Sequence, residues 1–242
     1  IVSKINLDYL IIENPLELEK IFPNINKKIS FKNHKIKIKY KKDYLKITGS
    51  GETILQNEID TLEYKILKNK DEIKYDTSLI ISKNLFNIDF LNYEKNKETD
   101  LKLNIKAKKI SNKYLIFEEV TLKEKNNTIF VKNLILTNNN KINEIEKIQV
   151  DYIDKENLEN KIKLMKINDN YLINGNSFNI NKIISVLLEA DNSKNKKIFN
   201  KNLKFDFDLK KVYLDEKNII RDFQGYLFLN DNKVSELSLE AK

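Results

Sequence analysis

With 242 residues and 40% hydrophobic content, the chain is long enough for one large all-β domain or two smaller ones, and it is not a disordered tail. It has no cysteine, which excludes disulfides, thiolate zinc sites and thiol nucleophiles and fits either redox compartment. The formal charge of +8 invites a nucleic-acid or anionic-membrane reading, but Arg221 is the sole arginine among 44 basic residues. Arginine is what bidentate contacts to guanine and phosphate call for, so no nucleic-acid partner is expected. Lysine, asparagine and isoleucine are abundant together, as an AT-rich genome writes tolerant surface positions.

No apolar run approaches the roughly 18 residues of a membrane-spanning helix, and no signal peptide is visible. The start at Ile1 and the end directly after the alternating Leu237, Leu239 and Ala241 predict a piece of something longer.

In chain order, "NPLELEKIFP" predicts a short helix over about 15–22, with Asn14 as N-cap, Pro15 at the first helical position and Pro23 closing it. "HKIKIKYKK" then reads as a strand, with Ile36, Ile38 and Tyr40 on one face and Lys35, Lys37, Lys39 and Lys41 on the other. "YLKITGSGETILQ" follows, its glycines marking a bulge or a close backbone approach. "EIDTLEYKILKN", "EIKYDTSLIIS" and "NLFNIDFLNYEK" are further strands between Asn, Lys and Asp turns. In "DLKLNIKAKKI" the residues Leu101, Leu103, Ile105 and Ala107 share a face. "YLIFEEVTLKEK", "TIFVKNLILTN", "KINEIEKIQVDYI" and "NKIKLMKINDNYLINGNSF" continue the series.

"NINKIISVLLEA" predicts a second helix over about 180–190, with Ile180, Ile183, Ile184, Leu187 and Leu188 as one apolar stripe. The chain closes on three strands, "LKFDFDLKKVYL", "FQGYLFLN" and "KVSELSLEAK". In the first, Leu203, Phe205, Phe207 and Leu209 alternate with charged residues until the apolar parity shifts at Lys210–Lys211, where a bulge is expected. Leu227 and Leu229 in the second and Leu237 and Leu239 in the third extend the pattern. Turn signals every 10 to 15 residues with no long helical pattern between them predict antiparallel hairpins, not βαβ crossovers.

Candidate chemistry is sparse. His34, the only histidine, has no second His or Cys to complete a metal site and reads as a surface turn residue. Asp206 and Asp208 share a strand face at a spacing a glycosidase tolerates, but the charged face of an amphipathic strand predicts the same pair. "TGSGET" lacks the GK[ST] ending of a phosphate loop, and no GxSxG or HExxH is present. No enzymatic activity, cofactor or metal is expected.

The second half, "YLINGNSFNINKIISVLLEA" followed by "LKFDFDLKKVYLDEKNIIRDFQGYLFLNDNKVSELSLEAK", resembles the AsmA-like C-terminal region of the YhdP and TamB group of bacterial envelope proteins. A strand ending in Gly175, the helix after it and a strand pair carrying Gly225 bear the likeness, and "LNYEKNKETDLKLNIKAKKI" extends it to residues 49–242. The resemblance implies a repeating β-groove, a long twisted antiparallel sheet curled into an open trough that is apolar inside and polar outside. It also implies similarity to bridge-like lipid transfer proteins, an inner-membrane anchor, and movement of phospholipid across the periplasm toward the outer membrane of a Gram-negative bacterium. The anchor and the N-terminal portion of the family lie outside this sequence.

The expectation is therefore an all-β chain with two short helices. Residues 1–242 would form one continuous groove segment, with a possible sub-boundary near 176–200. Phospholipid acyl chains would lie along Ile36, Ile38, Tyr40, Leu101, Leu103, Ile105, Leu203, Phe205, Phe207, Leu209, Leu227, Leu229, Leu237 and Leu239, and rim lysines could hold the phosphate heads. The rival is a structural or adhesive β-sandwich whose apolar faces pack on each other. Under the groove reading Phe205→Asp leaves the fold standing; under the sandwich reading it unfolds the chain.

Overall fold

The computed structural model describes residues 1–14, 18–110, 113–182, 199, 201–215, 217–231 and 233–242. It is all-β, and the chain divides into two compact units, Ile1–Ile88 with Glu94–Lys125 and Asp89–Tyr93 with Asn126–Lys242.

The first unit carries β1 (Val2–Glu13), β2 (Lys28–Lys41), β3 (Tyr44–Ile54), β4 (Ile59–Lys68), β5 (Glu72–Ile81), β8 (Leu101–Ile110) and β9 (Tyr114–Glu124), neighbouring one another in that order and pairing antiparallel. Between β5 and β8 lie only the two-residue strands β6 (Asn87–Ile88) and β7 (Tyr93–Glu94) and a 3-10 turn at Asp89–Leu91, so "NLFNIDFLNYEK" is not the full strand expected. β1, whose apolar residues occupy both parities, is a strand that alternation alone did not mark.

In the second unit, β10 (Asn127–Thr137), β11 (Ile142–Ile153), β12 (Glu159–Ile167), β13 (Asn170–Asn179), β14 (Leu203–Tyr213), β15 (Ile219–Asn230) and β16 (Lys233–Glu240) are neighbours in sequence order. Every pair is antiparallel except β13–β14, which is parallel. This corrects the expectation of hairpins throughout. Parallel neighbours need a long return connection, and the stretch between Asn179 and Leu203 supplies one. Neither unit's sheet closes into a barrel: β1 pairs only with β2, and β16 only with β15.

The first expected helix is not seen: the described part of its segment is a single 3-10 turn, Leu18–Lys20. Of the second, Asn181 and Lys182 are helical and residues 183–190 lie outside the described residues.

With only four glycines in the chain, asparagine and aspartate take most of the positions with positive φ. Asp43, Asn168 and Asp231 do so in hairpin turns, as two-residue loops require. Asn33 (φ 54°), Asn133 (φ 47°) and Asp222 (φ 46°) do so inside strands. There the apolar parity changes: from Ile29 and Phe31 to Ile36 and Ile38 around Asn33, and from Ile129 and Val131 to Leu134 and Leu136 around Asn133. The shift expected at Lys210–Lys211 falls beside Asp222, between the register pairs Leu209–Phe223 and Lys211–Arg221, without an inserted residue. Two of the three kinks are tied across strands, Nδ2 of Asn33 and of Asn133 donating to the carboxylates of Glu52 and Glu146.

Each unit also has a buried polar clamp. In the first, Asn84 Nδ2 donates to Asp60 (2.8 Å) and to the Glu58 carbonyl (2.8 Å), while the Lys95 ammonium donates to the carbonyls of Ser82 and Asn96. Burial pushes the Asp60 carboxyl above the usual aspartate range and pulls the Lys95 ammonium down. In the second, Asp154 accepts from Asn160 and Asn179, and all three are buried.

Leu203 is 3% exposed inside the packed cluster of the second unit, whereas Leu237 on the edge strand is 58% exposed. Leu203→Ala should cost about 2–5 kcal/mol and Leu237→Ala within about 0.5 kcal/mol, as read from denaturant midpoints. Because the folded pKa of Asp60 lies above its unfolded value, the stability this group contributes is present at low pH and lost as pH rises through the folded pKa. Carboxyl carbon titration by NMR should give Asp60 a midpoint above that of a free aspartate; a midpoint at or below it would contradict the clamp's desolvation.

Candidate functional site: two apolar sheet faces and a polar depression

Register fixes which side chains share a face, since directly paired residues point the same way. In the first unit one row runs Ile5, Ile36, Gly49, Tyr64, Thr77, Ile105 and Val120 across all seven strands. The next runs Ser3, Ile38, Ile47, Ile66, Tyr75, Ala107 and Phe117. Leu103 pairs with Leu79 and Leu122, Leu101 with Ile81, and Tyr40 with Leu45. The six sequence-selected residues of this unit thus share one apolar face. Leu101 is buried, Ile36, Ile38, Leu103 and Ile105 are half-buried, and Tyr40 at the rim is 52% exposed.

The eight selected residues of the second unit also share a face. Leu203 pairs with Leu229, Phe205 with Leu227, Leu227 with Leu237, and Phe207 and Leu239 both meet Gly225. Leu209 pairs with Phe223 two positions along the same side. Gly225 (φ 147°) adopts a conformation side chains avoid, and any Cβ there would run into the Ser238 carbonyl.

Packing along this face is uneven. Tyr171 stacks on Phe205 at 5.4 Å and Phe199 leans on Phe205 at 6.0 Å, within a cluster holding Ile145, Leu203 and Leu229. The Tyr171 hydroxyl accepts the Ile145 amide at 3.1 Å, and Phe199 forms an isolated bridge to Ile142. Toward the edge the face opens, Leu239 being 45% exposed. Phe205 is therefore a packed residue, so Phe205→Asp tests the cluster and cannot separate a ligand-bearing face from a sandwich core.

His34 departs from expectation. It is 1% exposed and lies inside β2, with its ring between Phe31 (5.6 Å) and Tyr64 (5.8 Å). A ring nitrogen, Nε2, lies 2.9 Å from the Glu52 carbonyl, while Nδ1 has no hydrogen-bond partner among the described residues. His34 shares the parity of Ile36 and Ile38 and pairs with Leu7, so alternation already put it on the apolar face and the surface-turn expectation is corrected. The glycines of "TGSGET" are close approaches, as expected: the Tyr64 ring lies on Gly49 and the His34 ring on Gly51. No phosphate loop is formed there; both glycines are inside β3.

The opposite face is polar. In the first unit it runs Lys4, Lys37, Thr48, Lys65, Asp76, Lys106 and Glu119, beside Asn6, Lys35, Ser50, Glu63, Ser78, Asn104 and Thr121. An open depression of about 570 Å³ lies along β1–β5, lined mostly by these two rows. Sequence reasoning did not select it, because alternation marks a solvated face without saying whether it is concave.

Asp206 and Asp208 also lie on a polar face, Asp206 paired with Lys204 at 2.9 Å and Asp208 accepting from Gln224 at 3.2 Å. Among the described residues no cluster of His, Asp and Glu could hold a metal ion, and no helix is long and apolar enough to cross a membrane. The site thus belongs to the class of open amphipathic β-sheets. Comparison with known protein families, curated proteins and solved structures finds no match.

A Cβ at Gly51 would meet the His34 ring and, at 2.8 Å, the His34 Cα, which cannot swing aside. Gly51→Ala should therefore destabilise the fold by about 1–3 kcal/mol in urea unfolding. An unchanged midpoint would mean the β2–β3 irregularity is easily displaced.

Proposed function

We propose that the chain is a non-enzymatic lipid-binding segment of an AsmA-like envelope protein, its apolar sheet faces holding phospholipid acyl chains as they pass between inner and outer membranes. In this reading it works in the periplasm of a Gram-negative bacterium, and parts of the parent protein outside this sequence provide the inner-membrane anchor and the outer-membrane contacts. One observation carries the proposal. The rows through Ile36 and Ile38 stay largely apolar across seven strands of a single sheet, yet apart from Ala107 their side chains are half-buried or exposed.

A contiguous apolar surface of that extent calls for a covering partner. Acyl chains suit it, since burying each methylene contributes about 0.8 kcal/mol and one side chain on every second residue is all the sheet must provide. Neither rotation nor bond chemistry is asked of the protein, in keeping with a site built of Ile, Leu, Phe and Tyr.

The sandwich reading draws support from the cluster around Phe205, where Phe199 already covers part of the face. It would have apolar faces satisfied by protein alone.

Native mass spectrometry of the purified protein, followed by lipid extraction, separates the two. Phospholipid in stoichiometric amount is expected, with Ile38→Gln and Leu239→Gln lowering occupancy severalfold while the thermal midpoint moves by only a few degrees. A stably folded, lipid-free protein would overturn lipid conduction in favour of the sandwich.

A further inference from the structure

We propose that the polar depression over β1–β3 of the first unit is a binding site for a small soluble anion bearing linked phosphate groups. It is distinct from the apolar face and does not depend on the lipid reading.

Charge and shape together mark this region. On the same face farther along the sheet, Lys106 meets Glu119 at 3.5 Å and Lys108 meets Glu118 at 2.8 Å, while Lys39 opposite Lys46 and Lys102 opposite Lys123 lie outside the depression. At β1–β2 the register instead places Lys4 directly opposite Lys37, with Lys35 two residues from Lys37 on the same face. None of these three takes part in an ion pair among the described residues, and all three are exposed. Like charges directly opposed across strands cost stability. An anion seated between them would turn that repulsion into attraction.

The floor beside the lysines supplies neutral hydrogen-bonding groups. Thr48 pairs with Lys37, Ser50 with Lys35, and Asn6 lies opposite Lys35 on the outer strand. The far end of the depression carries Glu63 and Asp76 with a single lysine, Lys65, set opposite Asp76, so the net positive charge lies at the β1–β3 end. Lysine ammoniums bind phosphate as point charges and need no fork geometry, which matches a site without arginine.

The shape and lining choose among anions. The depression is concave, whereas a bilayer presents a broad flat surface. A single-stranded nucleic acid would want aromatic platforms for its bases, and the nearest aromatic ring, Tyr64, stacks on Gly49 on the opposite face. A compact phosphorylated anion fits what remains.

The test is titration of the protein with tripolyphosphate by calorimetry, with single-strand oligothymidylate and vesicles of phosphatidylglycerol as parallel probes. Saturable tripolyphosphate binding is expected, weakened about tenfold or more by Lys35→Glu/Lys37→Glu, with Lys37→Gln as the milder variant, and changed less than twofold by Lys106→Glu. No saturable binding, or binding indifferent to Lys35 and Lys37, overturns the proposal. So does binding to oligothymidylate alone, which assigns the site to nucleic acid, or to vesicles alone, which assigns it to a membrane surface.

Discussion

Everything in this protein depends on keeping apolar side chains on one side of each sheet while the strands bend. A strand changes the face of every later residue if its pairing slips by one, and these strands run to 14 residues. The solution is local. At Asn33, Asn133 and Asp222 a single residue with positive φ kinks the strand, and the sequence changes apolar parity around that position. Backbone geometry and hydrophobic pattern are thus written to the same correction. Asparagine and aspartate suit it because their short polar side chains tolerate that conformation, and for Asn33 and Asn133 the side chain also ties the kink to a neighbouring strand's glutamate.

The two faces then follow different physics. The apolar one is continuous but unevenly packed, dense around Phe205 and Tyr171 and open toward Leu239. Dense packing contributes stability; openness leaves surface for another molecule. The polar face varies too, with cross-strand lysine–carboxylate pairs on β8–β9 and unneutralised lysines on β1–β2. Exposed pairs of that kind contribute little to folding. Their distribution therefore bears more on what the face attracts than on how the sheet holds together.

The buried clamps around Asp60 and Asp154 serve another purpose. Each ties half-buried or exposed loop amides and carbonyls to a buried aspartate or asparagine side chain, which fixes the loop by hydrogen bonds. Similar composition at both sites, aspartate with asparagine, reflects a chain poor in glycine and proline whose loops are ordered by side-chain hydrogen bonds.

Alternation by itself determined that the chain is all-β, and it placed most long strands, the closing three-strand meander and the membership of both apolar faces. Period-two patterning is a local property, so Leu203 through Leu209 declared their common side without reference to any neighbour. The parity shift at Lys210–Lys211 was legible for the same reason, though not its cause, a positive φ on the partner strand at Asp222. Only tertiary structure decided that β13 and β14 run parallel, that the His34 ring lies on Gly51, and that Phe205 is packed while Leu239 is open. Strand direction, cross-strand register and the concavity of a face come from residues far apart in the chain, which no local pattern encodes.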